Sequence, residues 1–207
     1  MGKKNKVRYN LKNVHYAPIT AEAEGNGFPT YGTPVPWPGA VSLSLDQQGS
    51  ISKFHADGIV YWQDATNNGY EGDLEMALIL DQFRQDCLGE ELHETDQVFL
   101  ENATAKTTPF ALMFEFDGDA TKIRHVLYNC TATRPSVEGS TTEDSKSPVK
   151  EKLTISAAAL DNGYVKARTG PDTPAEVVNA WYKKVYIPSD AAPVSVRPGT
   201  VVAAVKA

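Results

Sequence analysis

Apolar and polar residues alternate with a period of two along much of this chain, the pattern of strands that cover one face. Val7, Tyr9 and Leu11 alternate with Arg8, Asn10 and Lys12, and Val41, Leu43 and Leu45 with Ser42, Ser44 and Asp46. Tyr70, Gly72, Leu74, Met76 and Leu78 alternate with Glu71, Asp73, Glu75 and Ala77. Phe110, Leu112, Phe114 and Phe116 oppose Glu115 and Asp117; Val126, Tyr128, Cys130 and Ala132 oppose His125, Asn129, Thr131 and Thr133; Leu153, Ile155 and Ala157 complete the set. Parallel strands, covered on both faces, would read as continuous Val/Ile/Leu runs, so this alternation predicts antiparallel pairing.

Helical periodicity is confined to two places. Residues 173–186 open with Thr173-Pro174-Ala175-Glu176, which reads as an N-cap threonine, a first-turn proline and a capping-box glutamate. Val177, Val178, Trp181, Tyr182 and Val185 then share one face. A shorter helix is predicted from Asp81 to Leu88, with Asp81 as N-cap and Gly89 just past its end. The fold class that follows is mainly β: a sandwich or barrel of antiparallel strands with one or two peripheral helices and extended arms.

Three segments read as unable to form a core alone. Residues 22–39 carry Gly25-Asn26-Gly27 and the proline-rich Pro34-Val35-Pro36-Trp37-Pro38-Gly39; residues 135–148 are polar, a long connection between two strands; and from Pro188 the chain is mostly Ala, Val, Pro and Ser. At about 150 residues per domain, 207 residues correspond to one large domain with arms. We place that domain at 1–187 and a flexible extension at 188–207.

With 41% hydrophobic and 22% charged residues the chain is neither fibrous nor disordered. No window approaches 18 uninterrupted apolar residues and residues 1–16 lack a signal-peptide core, so a soluble protein made inside the cell, without membrane insertion, is expected. Cys87 and Cys130 form no Cys-x-x-Cys pair and read as reduced packing residues. His15, His55, His93 and His125 are scattered without metal-ligand spacing, and no nucleophile elbow or phosphate loop occurs, so neither metal, cofactor nor catalysis is expected. The Asn102-Ala103-Thr104 and Asn129-Cys130-Thr131 sequons carry no meaning without a secretory signal.

Charge placement says more than the net −6. Residues 1–12 hold five basic side chains (Lys3, Lys4, Lys6, Arg8, Lys12) and no acid, whereas residues 64–101 hold eleven acids against the single Arg84. One copy's basic end could therefore attract another's acidic middle, and tight DNA binding by the acidic body is disfavoured. Glu71, Asp73 and Glu75 lie on one side of a strand, about 6.8 Å apart from each to the next, too straight to converge on calcium.

Longer blocks carry a resemblance. Asn13-Val14-His15-Tyr16-Ala17-Pro18, Tyr31-Gly32-Thr33-Pro34-Val35-Pro36, Pro38-Gly39-Ala40-Val41-Ser42-Leu43-Ser44-Leu45 and Asn67-Asn68-Gly69-Tyr70-Glu71-Gly72-Asp73-Leu74-Glu75 strongly resemble the major tail protein family of bacteriophages with long, flexible, non-contractile tails. Further matching blocks are Phe83-Arg84 through Leu88-Gly89, the run Arg124–Ser136, and Trp181-Tyr182-Lys183-Lys184-Val185-Tyr186. The resemblance spans roughly residues 6–187 and departs at the final 20 or so.

It implies a tail tube subunit: a β-sandwich-like fold with a flanking helix, six copies per ring, and rings stacked into a hollow conduit for the phage genome. Partners implied are further copies of itself and other tail proteins (tape measure, tail terminator, distal tail protein), with DNA passing unbound, in a virion tail assembled in the host cytoplasm. On this reading Glu71, Asp73, Glu75, Glu115 and Asp117 are candidates for an acidic wall that repels phosphate. Lys3, Lys4, Lys6, Arg8, Tyr31, Trp37, Glu143, Asp144 and Lys146 are candidates for contacts between subunits. The alternative is a receptor- or carbohydrate-binding β-sandwich of a tail tip, with Trp37, Tyr61, Trp62 and Trp181 as the aromatics available to stack on sugars.

Overall fold

The computed structural model describes residues 4–25, 27–139, 141 and 148–188. Its strands are β1 (Arg8–Glu24), β2 (Phe28–Tyr31), β3 (Val35–Pro36), β4 (Ala40–Gln48), β5 (Ile51–Ala56), β6 (Ile59–Ala65), β7 (Gly69–Met76), β8 (Glu91–His93), β9 (Val98–Leu100), β10 (Phe110–Gly118), β11 (Ile123–Ala132), β12 (Glu151–Ala158) and β13 (Lys166–Arg168). Every pairing is antiparallel.

One sheet forms the body, in the order β2-β1-β10-β11-β12-β7-β4, with β3 also on β1 and β13 also on β11. It curls until β4 returns beside β1. The concave side encloses one core, to which β1 sends Val14 and Tyr16, β7 Leu74 and Met76, β10 Phe110, Leu112 and Phe114, and β12 Leu153, Ile155 and Ala157. A helix, α1 (Asp81–Phe83), widens into a π-helical turn over Arg84–Leu88 and sends Phe83, Cys87 and Leu88 into the same core. Gly89 ends it at φ 75°, the left-handed conformation glycine adopts without strain. The cap at its start is Leu80, without a side-chain bond, and not Asp81.

The convex side of β10 and β11 is covered as well. Ala111, Met113, Val126 and Tyr128 pack there against Phe28, Trp181 and Val185. The second helix, α2 (Ala175–Ala180), is shorter than the expected 173–186 and its cap is Pro174. The Thr173 hydroxyl, which the capping box would use, instead accepts from the Gly170 amide at 2.8 Å. The buried face of Trp181 and Val185 holds as expected.

Bulges overturn the simple alternation twice. In β1 the register shifts between Tyr9 and Leu11 and between Lys12 and His15, where Asn10 and Asn13 take φ values of 60° and 50°. Val7 and Tyr9 consequently stay exposed. In β11 the pairing with β10 slips between Phe110 and Leu112, so Val126 and Tyr128 face outward under α2 while Cys130 and Ala132 face the enclosed core. Both cysteines are buried and unpaired with each other.

The described residues of segment 22–39 are held to the body. Phe28 and Trp37 are buried, β2 and β3 pair with β1, and the Trp37 amide donates to the Val14 carbonyl at 2.7 Å. Its aromatics supply the anchoring, Trp37 in the enclosed core and Phe28 on the convex side. The polar stretch 135–148 does connect two strands, β11 and β12.

Candidate assembly surface

Beyond β4 and β7 the chain continues as a free hairpin. The Asn68 amide donates to Gln48 O at 2.8 Å and the Thr66 amide to Ser50 O at 2.9 Å, which carries the β4–β7 ladder on into β5–β6. At the tip, Asp57 and Gly58 have φ values of 52° and 77°, as a two-residue turn between twisted strands requires. From Gly49 to Asp57 the arm reaches about 25 Å at strand rise. No residue from 49 to 68 is buried.

Pairing assigns the arm's faces. Phe54 lies opposite Trp62 and Ala56 opposite Ile59, and these four share one side; Lys53–Gln63 and His55–Val60 share the other. Phe54, Ile59 and Trp62 are 58%, 63% and 53% exposed, and Tyr61, at the register shift, 71%. Two-stranded hairpins are marginal alone, and apolar surface of this kind normally marks a contact. The arm's edges are open too, since among the described residues β5 and β6 pair only with each other.

The five acidic candidates separate. Glu71 is exposed and has no ion pair among the described residues. Asp73 accepts from Thr154 Oγ1 at 3.0 Å and Lys152 Nζ at 3.2 Å, and these bonds hold its carboxyl below its ordinary value. Glu75 is lowered likewise by Ser42 and Lys150, and Asp117 by Lys12 at 2.7 Å. Carboxylates answered by lysines make a weaker barrier to phosphate than the bare row expected from sequence.

Glu115 faces no open wall. It is fully buried, accepting from Lys122 Nζ at 2.9 Å, Asn13 Nδ2 at 2.8 Å, Arg124 Nε at 3.2 Å and the Tyr182 hydroxyl at 3.2 Å. Burial pushes its carboxyl up, but Lys122 and Arg124 outweigh that and hold it below its usual value. Tyr182 stacks on His15 at 4.5 Å, and the Arg124 guanidinium, 5.3 Å from the Tyr182 ring, also donates to the Val178 carbonyl. The cluster fastens α2 to the sheet.

Among the candidates for subunit contacts, Trp37 is a core residue, 1% exposed, with its indole N–H on the Leu78 carbonyl at 3.1 Å. Tyr31 is half-buried and donates to the Tyr128 carbonyl at 3.0 Å. Lys4, Lys6 and Arg8 are exposed, yet their backbone is tied down: Asn5 donates to the Thr121 carbonyl at 2.6 Å, and the Lys6 amide donates to Asp119 at 2.7 Å. Lys3, Glu143, Asp144 and Lys146 lie outside the described residues. The arm residues Phe54, Ile59 and Trp62 were not singled out as contacts from sequence, although Asp57-Gly58 between two apolar-bearing runs is a strong hairpin signal.

Among the described residues no group of three or more His, Cys, Asp or Glu is placed to hold a metal ion, and no helix is long and apolar enough to cross a membrane. Neither the family models nor the curated proteins contain a match to this chain.

Proposed function

We propose that this chain is a structural virion protein, the subunit of a phage tail tube: copies close into rings, six to a ring, and rings stack into a hollow conduit for DNA. It acts by assembly and not by catalysis, in the virion tail after assembly in the host cytoplasm. Copies of itself are its main partners, with tape measure, terminator and distal tail proteins at the ends and along the bore.

The observation that carries this reading is the arm of residues 49–68, whose apolar side and strand edges are uncovered in a single copy. An oligomer supplies the missing cover, by strand addition along the edges and by packing on the Phe54–Trp62 side. The block resemblance to tail tube proteins supplies the architecture into which such an arm fits. Negative-stain microscopy of the purified protein at high concentration tests it: rings or tubes are expected, and uniformly small particles would contradict it.

The exposed Tyr61 and Trp62 favour a second reading, a glycan-binding module of the tail tip. That module would bind oligosaccharide as a small closed oligomer and form no tubes.

A further inference from the structure

A subunit that stacks end to end needs two unlike, complementary surfaces at its opposite ends. This body has such a pair, and the inference rests on the assembly reading above. At one end, β4, β7, β10 and β11 surround a mouth of about 260 Å³ with an apolar floor that includes Leu43, Leu45, Phe114 and Phe116. Two cations flank it. Arg8 sits 5.2 Å from the Phe116 ring centroid and Lys166 Nζ 4.0 Å from that of Tyr70. Both are exposed, and neither has an ion pair among the described residues. His125 stacks on Phe114 at 5.1 Å, and its Nε2 is buried without a hydrogen-bond partner among the described residues. An apolar floor ringed by unanswered cations suits an apolar group bearing carboxylates.

The opposite end carries that chemistry. Hairpin β8–β9 lies between the π-helical turn and the start of β10, and its flanks are held there by the Thr108 amide on Cys87 O and by Arg134 on the carbonyls of Leu88 and Asn102. Of the six acids in residues 85–105, Glu90 is paired with Arg84, Glu101 with Arg134 and Asp96 with His93, and Asp86 accepts from the Tyr16 hydroxyl; Glu91 and Glu94 have no ion pair among the described residues. The register puts Glu91 beside Leu100 and His93 beside Val98 on one face, where Val98 and Leu100 are 50% and 51% exposed. The hairpin is thus an apolar knob with an acidic rim.

The geometry points to one contact: hairpin β8–β9 of one copy seats in the mouth of a second copy, Val98 and Leu100 over the phenylalanine floor, Glu91 toward Arg8 and Lys166. The hairpin cannot reach its own mouth. Phe110 and Phe116, at the two ends of this separation, are six residues apart along β10, about 20 Å. The contact is therefore intermolecular and joins unlike surfaces at opposite ends of the body, the head-to-tail arrangement that repeats from copy to copy along a stack. Its charge component weakens as salt is raised.

Mixed single-cysteine chains test it. Full-length Leu100→Cys and Lys166→Cys proteins, combined under mild oxidation, are expected to give a disulfide-linked dimer that neither forms alone and that Leu100→Cys with Ser52→Cys does not form. The native Cys87 and Cys130 are buried and leave the readout clean. In parallel, Arg8→Glu/Lys166→Glu is expected to shorten stacks at least tenfold, and Glu91→Lys/Glu94→Lys chains to restore them when mixed with it. Cross-linking no greater than the Ser52→Cys control, with tubes still forming, would overturn this contact and leave the tube reading standing. A cross-linked dimer from a protein that never forms rings would keep the contact and overturn the tube. Loss of DNA retention by Arg8→Glu/Lys166→Glu, with cross-linking and stacking unchanged, would make the mouth a nucleic-acid site and overturn the contact.

Discussion

Tyr182 donates its phenol O–H to Glu115 at 3.2 Å, joining the segment after α2 to the middle of the sheet at the one carboxylate that is wholly buried among the described residues. The bond matters because Glu115 already answers Arg124, whose side chain is largely buried, and the exposed Lys122, so removing the carboxylate leaves the Arg124 guanidinium and the Tyr182 phenol short of an acceptor. Glu115→Gln is expected to cost about 2 kcal/mol and Tyr182→Phe about 1 kcal/mol, read from urea unfolding. The pH dependence has a definite sign. The Glu115 carboxyl is held below its ordinary 4.5, so its stabilisation is complete above that value and is lost as pH falls below it. Glu115→Gln should flatten that acid limb.

His125 gives a second, separate pH dependence. Burial chiefly, then Lys166, Arg168 and Arg8, push the imidazole down to about 4 from 6.5. Between those values the unfolded chain takes up a proton that the folded chain refuses, so stability falls as pH drops from 6.5 to about 4. His125→Phe, which keeps a ring against Phe114, should remove this slope in thermal melts between pH 4 and 6.5 while leaving the limb below 4.5 due to Glu115.

The two tryptophans should behave oppositely. Trp37→Ala empties a core position between Tyr16 and Phe83 and is expected to cost about 3–5 kcal/mol. Trp62→Ala touches exposed surface and should change monomer stability by less than about 0.5 kcal/mol, yet reduce assembly. Equal effects on folding would show that the arm is part of the folded body.

That contrast shows what the sequence could and could not disclose. Periodicity located β4, β7, β10, β11 and β12 because each has a covered face, and it located α2 through its apolar stripe. Period two cannot register a bulge, so Tyr9 was given a covered face that it lacks, and Val126 and Tyr128 were put on one face with Cys130 and Ala132, from which the bulge separates them. Proline content suggested an arm at 22–39, whereas Phe28 and Trp37 anchor that segment to the core. Glu115 read as a surface acid because its partners at positions 13, 122, 124 and 182 are brought to it only by folding. The β5–β6 arm went unread, although Asp57-Gly58 between two apolar-bearing runs offered a hairpin signal; its exposed apolar face required the three-dimensional pairing.

Gly58 offers a local test of that arm. At φ 77° any side chain is strained, so Gly58→Ala should cost the hairpin about 1 kcal/mol. Hydrogen exchange should then speed up at the amides of β5 and β6 and stay unchanged in β10 and β12.

Sedimentation velocity over a concentration series, comparing the natural chain with Phe54→Glu/Trp62→Glu, addresses the central claim most directly. The natural chain should pass from monomer to rings and longer polymers as concentration rises, while the arm variant stays monomeric with unchanged circular dichroism. A natural chain that remains a monomer throughout, arm exposed and indifferent to its neighbours, would contradict the account.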